Sequence, residues 1–205
     1  VDLVIVSAPL HLGIAEQIAQ IHREEGMVVQ VTTPQQVYHE FSSGNPDVTA
    51  IRQLMKMLYD RANGNANLQP KNLLMLGDGA YNTNRGLEIQ KGYNVIVFES
   101  DYSLSPLSSY VSDDYFVMLS DDDDASSLGA LECGVGRIPA ENAEEAMASL
   151  RKIKTYISVN EKISTEENCT TTQYNSSMGS WRNQLTFVAD DQDGSGGAYE
   201  QVHLI

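Results

Sequence analysis

The residues of this chain best suited to chemistry are its aspartates. Asp78 stands between Gly77 and Gly79, and Asp113 and Asp114 follow Ser112. Ser120 leads into four aspartates in a row, Asp121, Asp122, Asp123 and Asp124. A further group, Asp190, Asp191 and Asp193, runs into a glycine-rich stretch. Adjacent carboxylates repel one another, so clustering them is costly unless water or a cation relieves the charge. Hard oxygen donors at irregular spacing suit Ca²⁺, which accepts about six to eight oxygens and tolerates uneven geometry. A solvated acidic loop is the ordinary reading of an aspartate run alone. The metal reading gains from Asp78, a carboxylate on a separate segment able to close a site begun by residues 120–124.

Other chemistries find less support. Asp191, Asp193, Ser195 and Gly196 match the first half of an EF-hand loop, but its last position is Val202, where a bidentate glutamate is required. There is no Gly-x-Ser-x-Gly, no phosphate-binding loop and no Cys-x-x-Cys. His22 and His39 fall on helical segments, His11 follows a strand end with no evident partner, and His203 sits in the wrong setting for catalysis. Cys133 reads as a small core residue and Cys169 as a loop residue, so a disulfide between them is not expected. The formal charge of −15, from 13 Lys and Arg against 28 Asp and Glu, repels phosphate backbones and anionic lipid. No nucleic-acid partner is therefore expected. Nor is direct membrane insertion, because no apolar run approaches the length of a bilayer span.

The elements that must position these carboxylates follow from hydrophobic spacing. Residues 2–8 form a short, almost wholly apolar run, as a strand covered on both faces requires. Ile14, Ile18 and Ile21 recur at helical spacing up to Gly26, and residues 27–33 read as a second strand, completing a βαβ unit. Residues 34–41 predict a short helical turn. Asn45 as N-cap and Pro46 at the first position then predict a helix burying Val48, Ile51, Leu54, Met55 and Leu58. Further strands are expected at 72–77, 94–98, 115–119 and 131–138, then a long helix to 157, and a last strand at 185–189. The order predicts an α/β fold with a mainly parallel sheet, whose ligands gather at the carboxyl ends of the strands. Gly77, Asp78 and Gly79 fall at such an end. A start directly on a strand and an end at 200–205 resembling an interrupted helix predict a segment of a longer protein.

Four segments set the family likeness: 74–79, 112–116, 134–139 with the helix 141–157, and Trp181 to Asn183 with 187–191. Their order and spacing resemble the gingipain (C25) family of cysteine peptidases, most closely the PorU-type signal peptidases of type IX secretion. Residues 37–41 and 47–48 extend the likeness through nearly the whole chain. The resemblance implies a caspase-like three-layer α/β fold. Residues 1–160 would be the first subdomain, 161–180 a linker or flexible loop, and 181–205 the start of the second subdomain. It also implies that the nucleophilic cysteine and its histidine lie in that second subdomain, the histidine in a His-Gly context and the cysteine at a later strand end. Neither context occurs here, so no catalytic residue carries over.

The resemblance also implies a calcium site. Gingipains bind Ca²⁺ through the aspartate of a Gly-Asp motif and through a later loop that adds an aspartate and backbone carbonyls. The matching positions are Asp78 and the loop 120–124, with Ser120, Asp121 and Asp123 as its members and Asp123 in register as the side-chain ligand. The loop is longer than in gingipains, so Asp121, Asp122 and Asp124 stay open as alternatives.

The implied function is part of a cysteine peptidase or transpeptidase that processes C-terminal sorting signals of secreted proteins. The location implied is secreted, cell-surface or outer-membrane-associated in a Bacteroidetes-type bacterium. Protein substrates would engage through the second subdomain, with secretion-system components as further partners. This chain would supply scaffold and calcium site and be inactive alone. A rival expectation keeps the scaffold and the calcium but no catalysis, as a surface or secretion module. A nucleotide-binding reading is weaker, because an acidic strand edge repels phosphate unless a metal bridges it.

Overall fold

The computed structural model describes residues 1–80, 92–100, 110–121, 130–157 and 184–185. The chain opens with β1 (Leu3–Ser7), in which every residue is buried. A 3₁₀ turn (Pro9–His11) leads into α1 (Leu12–Glu24), and β2 (Val29–Thr32) follows. Two helices, α2 (Pro34–Phe41) and α3 (Val48–Arg61), precede β3 (Asn72–Leu76) and β4 (Asp78–Ala80). Then come β5 (Asn94–Ile96), β6 (Phe98–Glu99) and β7 (Val111–Ser112). A second 3₁₀ turn (Asp114–Val117), β8 (Gly134–Ile138) and α4 (Ala143–Ile157) complete the described elements.

β1, β2, β3 and β8 form a parallel sheet in the order β2-β1-β3-β8. The step from β1 to β2 runs one way across the sheet and the step from β2 to β3 runs the other. Right-handed crossovers therefore place α1 on one face and α2 with α3 on the opposite face. The side chains of β1 divide accordingly. Leu3 and Ile5 pack with Ile14, Ala15 and Ile18 of α1 and with Ala146 and Leu150 of α4. Val4 and Val6 pack with Val37, Ile51, Leu54 and Met55, and with Phe116 of the second 3₁₀ turn. A strand flanked by helices on both faces needs apolar residues at every position, which is what residues 3–7 provide until Ser7. The result is the three-layer arrangement expected.

Several boundaries differ from the sequence reading, each for a local reason. The strand expected at 115–119 is the second 3₁₀ turn: Phe116 N–H donates to the Asp113 carbonyl (3.2 Å), and Tyr115, Phe116 and Val117 are buried in succession rather than in alternation. The helix expected to be capped by Asn45 starts later, with Asp47 as N-cap accepting from Thr49 N–H at 2.8 Å. Asn45 is already committed to the turn that ends α2, where its N–H donates to the Ser42 carbonyl and its own carbonyl accepts from Ser42 Oγ. Residues 34–41 form a helix closed by a capping box between Thr33 and Gln36, not a single turn. Residues 94–98 divide between β5, parallel to β4, and β6, antiparallel to β7. β8 begins at Gly134, later than the expected 131.

The chain divides into two compact units, Val1–Ile153 and Lys154–Ile205. The described residues of the second are the last turn of α4 and residues 184–185. The linker at 161–180, nearly all of the strand at 185–189, the aspartates at 190–193, Cys169, His203, and Asp122, Asp123 and Asp124 lie outside the described residues.

Candidate metal centre at the carboxyl ends of the strands

Asp78 owes its position to the glycine before it. Gly77 has φ +148, and a Cβ there would lie 2.7 Å from the Tyr93 carbonyl oxygen and 2.9 Å from Ala8 Cβ. Only glycine accepts that backbone and that approach. Its N–H still donates to the Ile138 carbonyl of β8 (3.0 Å), after which the chain leaves the main sheet and pairs with β5. Asp78 N–H donates to the Tyr93 carbonyl (3.1 Å), and Asp78 stands in register with Asn94. Register partners in a parallel pair project from the same face. No hydrogen bond or ion pair reaches the Asp78 carboxylate among the described residues. Asn94 is 5% exposed; its Nδ2 donates to the Gly79 carbonyl at 3.5 Å, and among the described residues its buried Oδ1 meets no donor.

Arg137 of β8 ties this corner together. Its Nε and Nη2 donate to the two carboxylate oxygens of Asp113 at 2.9 and 2.8 Å, a bidentate pair. Its remaining N–H groups reach the carbonyls of Gly77 (3.4 Å), Val95 (2.9 Å) and Ile96 (3.0 Å). One guanidinium thus links the β3–β4 junction, β5, the second 3₁₀ turn and β8. Asp113, one of the aspartates singled out from the sequence, is consumed by this pair. Arg137 was not among the candidate site residues, although it lies in the motif 134–139; no local signal marks an arginine whose partners lie 24 to 60 residues away.

The approach to the aspartate run is also anchored. Arg52 Nε donates to the Met118 carbonyl at 2.7 Å, and Leu119 N–H donates to Glu132 Oε2 at 2.6 Å. Ser120 follows, half-buried. Asp121 is exposed and ion-paired with Lys56 of α3 at 2.7 Å, and Lys56 also meets Asp60 at 2.8 Å. The hydrogen bond from Lys56 holds the Asp121 carboxyl below its usual range, and Asp121 and Asp60 raise the ammonium in turn.

Two residues set aside from the sequence are placed as well. His11 has the partner the sequence could not show: it is fully buried, and its Nε2 lies 2.9 Å from the Ala140 carbonyl. A carbonyl only accepts, so Nε2 carries the proton, and Nδ1 is left buried without a partner among the described residues. Cys133 is buried and free, and burial, with Glu132 nearby, pushes its thiol up to about 11. A nucleophilic cysteine needs the opposite shift, so Cys133 is the core residue expected. Away from this rim, a surface groove of about 400 Å³ lies at the opposite ends of the strands, lined by Leu3, Asn72 and Gly134 among others.

The model of peptidase family C25 matches residues 1–204. The chain belongs to peptidase family C25. Among solved structures, this C25 chain is similar to dimeric latent PorU from Porphyromonas gingivalis, at 34% identity and a TM-score of 0.62. The match covers 76% of this chain and 15% of the PorU chain. No curated protein matches. Family, neighbour and parallel sheet agree on the caspase-like α/β fold.

Calcium is the metal that the family likeness implies, and the donor chemistry can be tested residue by residue. Among the described residues Asp78 fits, as a carboxylate without a competing partner whose register partner, Asn94, has a buried amide oxygen that also lacks one. Asp121 has an oxygen occupied by an ammonium, which a cation would have to displace. No group of three His, Cys, Asp or Glu side chains comes together among the described residues.

Proposed function

We propose that this C25 chain is the scaffold and calcium-binding part of a cysteine peptidase or transpeptidase that processes C-terminal sorting signals of secreted proteins. The protein would act secreted or at the surface of a Bacteroidetes-type bacterium, with protein substrates and secretion-system components as partners. The observation that carries the reading is the C25 match over residues 1–204 together with 34% identity to PorU. The chain spans only 15% of that PorU chain, so the thiolate and imidazole are assigned to residues beyond it. There the imidazole would activate the thiol, and preorganised donors would hold the tetrahedral oxyanion.

Within this chain the proposed ligands are Asp78, Ser120, Asp121 and Asp123. These residues would hold the ion, which would neutralise their carboxylates and stiffen the rim. Residues of this chain hold that rim: Gly77 aims Asp78, Arg137 fixes the backbone around it, and Arg52 and Glu132 fix the approach to Ser120.

The test is to read the coding sequence for about 150 codons past Ile205, the length of an ordinary domain. A strand followed by His-Gly, then a later strand ending in cysteine, is expected. The extended protein should cleave a substrate bearing a C-terminal sorting domain, and replacing that cysteine with alanine should abolish cleavage. Corresponding segments lacking both residues would refute the peptidase reading and leave a non-catalytic, calcium-stabilised module. The calcium reading is checked separately by melting the chain in EDTA and in CaCl₂. A rise with calcium that disappears in Asp78→Ala is expected.

A further inference from the structure

We propose that the side-chain oxygen of Asn94 is a ligand for the same calcium ion as Asp78. The inference rests on the calcium reading above and adds to it a residue from a second strand. Asp78 and Asn94 are register partners across β4 and β5, so both side chains leave one face of the pair. Paired strands run about 4.8 Å apart. That spacing lets one oxygen from each strand approach a common ion at the roughly 2.3–2.6 Å of a calcium–oxygen bond.

The hydrogen bonding of Asn94 points the same way independently. Asn94 is 5% exposed, its nitrogen is engaged by the Gly79 carbonyl, and its buried oxygen meets no donor among the described residues. A buried polar atom without a partner calls for a water, an ion or a strained role to explain it. Water would satisfy the amide alone, while Asp78, its register partner, is half-buried and keeps its negative charge. A cation satisfies both at once. Neither a lysine nor an arginine takes that place among the described residues, since the Asp78 carboxylate has no ion-pair partner there. The nearby Arg137 donates to the Gly77 carbonyl, but its charge is met by both oxygens of Asp113. A neutral amide beside a carboxylate is also the mixed oxygen set that calcium accepts and that an acidic pair would make more repulsive.

The test is calorimetric titration of the chain with CaCl₂ after EDTA treatment, on wild type, Asp78→Asn, Asn94→Leu and Asn94→Asp. If wild type takes up no calcium, the calcium reading itself falls and this inference falls with it. If wild type binds and Asp78→Asn does not, the reading stands and the Asn94 variants decide. Asn94→Leu is expected to weaken binding by about tenfold or more, the scale on which loss of a supporting group acts at metal sites. Asn94→Asp keeps an oxygen and adds charge, so its affinity should match or exceed wild type. Wild-type affinity in Asn94→Leu overturns the proposal. Should Asn94→Leu fail to fold, a similarly large loss in Asn94→Asp overturns it, and retained or tighter binding supports it. Terbium luminescence separates a ligand from a merely structural residue. Loss of a protein oxygen should admit a quenching water and shorten the lifetime in Asn94→Leu, and an unchanged lifetime contradicts ligation.

Discussion

The parallel sheet and its carboxyl rim are built on different principles. In the sheet, β1 is buried along its whole length and is flanked on both sides by strands in continuous register. Its stability is area removed from water, spread over many contacts. At the rim the elements are two to four residues long, and order comes from a few polar anchors: Gly77, Arg137 with Asp113, His11 with the Ala140 carbonyl, and Arg52 with the Met118 carbonyl. Loss of a buried side chain in the sheet weakens the whole unit, whereas at the rim one anchor, Arg137, holds several segments at once, so that its loss loosens them locally. A fold of this kind separates the part whose order comes from burial from the part whose order comes from a few polar anchors.

The largest effect should come from the sheet. Ile5 is fully buried in the central strand, and Ile5→Ala should cost about 4 kcal/mol, from lost transfer energy and the cavity left behind. Urea unfolding should show a lower midpoint with an unchanged slope, because the whole unit unfolds together. A cost near zero would show that β1 is not the centre of the core.

Arg137→Lys should come next. Lysine keeps the charge but cannot reach Asp113 bidentately and the carbonyls of Val95, Ile96 and Gly77 together. A loss of roughly 2–3 kcal/mol is expected, on the scale of charged hydrogen bonds left unmade in a half-buried site. The readout that sharpens the comparison is amide exchange. Protection should fall at Asp78 and in β5 while β1 and β3 keep theirs. Equal loss in both regions would mean that rim and sheet form one cooperative unit.

These two regions also differ in how far the sequence exposes them. β1 is legible because its burial is local: consecutive apolar residues at 3–7 admit one explanation. The buried face of α3 is equally legible, from Ile51, Leu54 and Met55 at helical spacing. The rim is set by partners distant in the chain. Tyr115, Phe116 and Val117 have strand-like chemistry but fold as a 3₁₀ turn beside Asp113, which Arg137 captures from 24 residues away. His11 reads as partnerless because its acceptor is a backbone carbonyl 129 residues on. Asp78 was legible as a carboxylate at a strand end, whereas Asn94 was not, because its relevance appears only once the β4–β5 register is known.

A smaller effect sits just before β8 and appears only in alkali. The Cys133 thiol is raised from 9.0 to about 11 by burial, with a contribution from Glu132. The folded chain therefore holds this proton more tightly than the unfolded chain. The stability it contributes is complete below pH 9.0 and is lost as pH rises towards about 11. Cys133→Ala should flatten that part of the pH profile, and the native thiol should resist alkylation at pH 8. Rapid labelling at pH 8 under native conditions would place the thiol outside the core.

The smallest effect on stability belongs to Lys56, and it bears on which aspartates would meet the proposed cation. Its ammonium bridges Asp60 and Asp121 at the surface, where salt and water screen ion pairs, so Lys56→Met should leave the urea midpoint nearly unchanged. Calcium affinity should respond instead. With Asp121 among the ligands, Lys56 both occupies one of its oxygens and repels the incoming charge. Removing it should tighten binding roughly fivefold, the size of a screened repulsion between a unit charge and a divalent ion several ångströms apart. The gain should shrink as salt is raised, because the repulsion it removes is screened. Unchanged affinity in Lys56→Met at low salt would take Asp121 out of the ligand set and leave the ion to Asp78, Asn94 and the rest of the acidic loop.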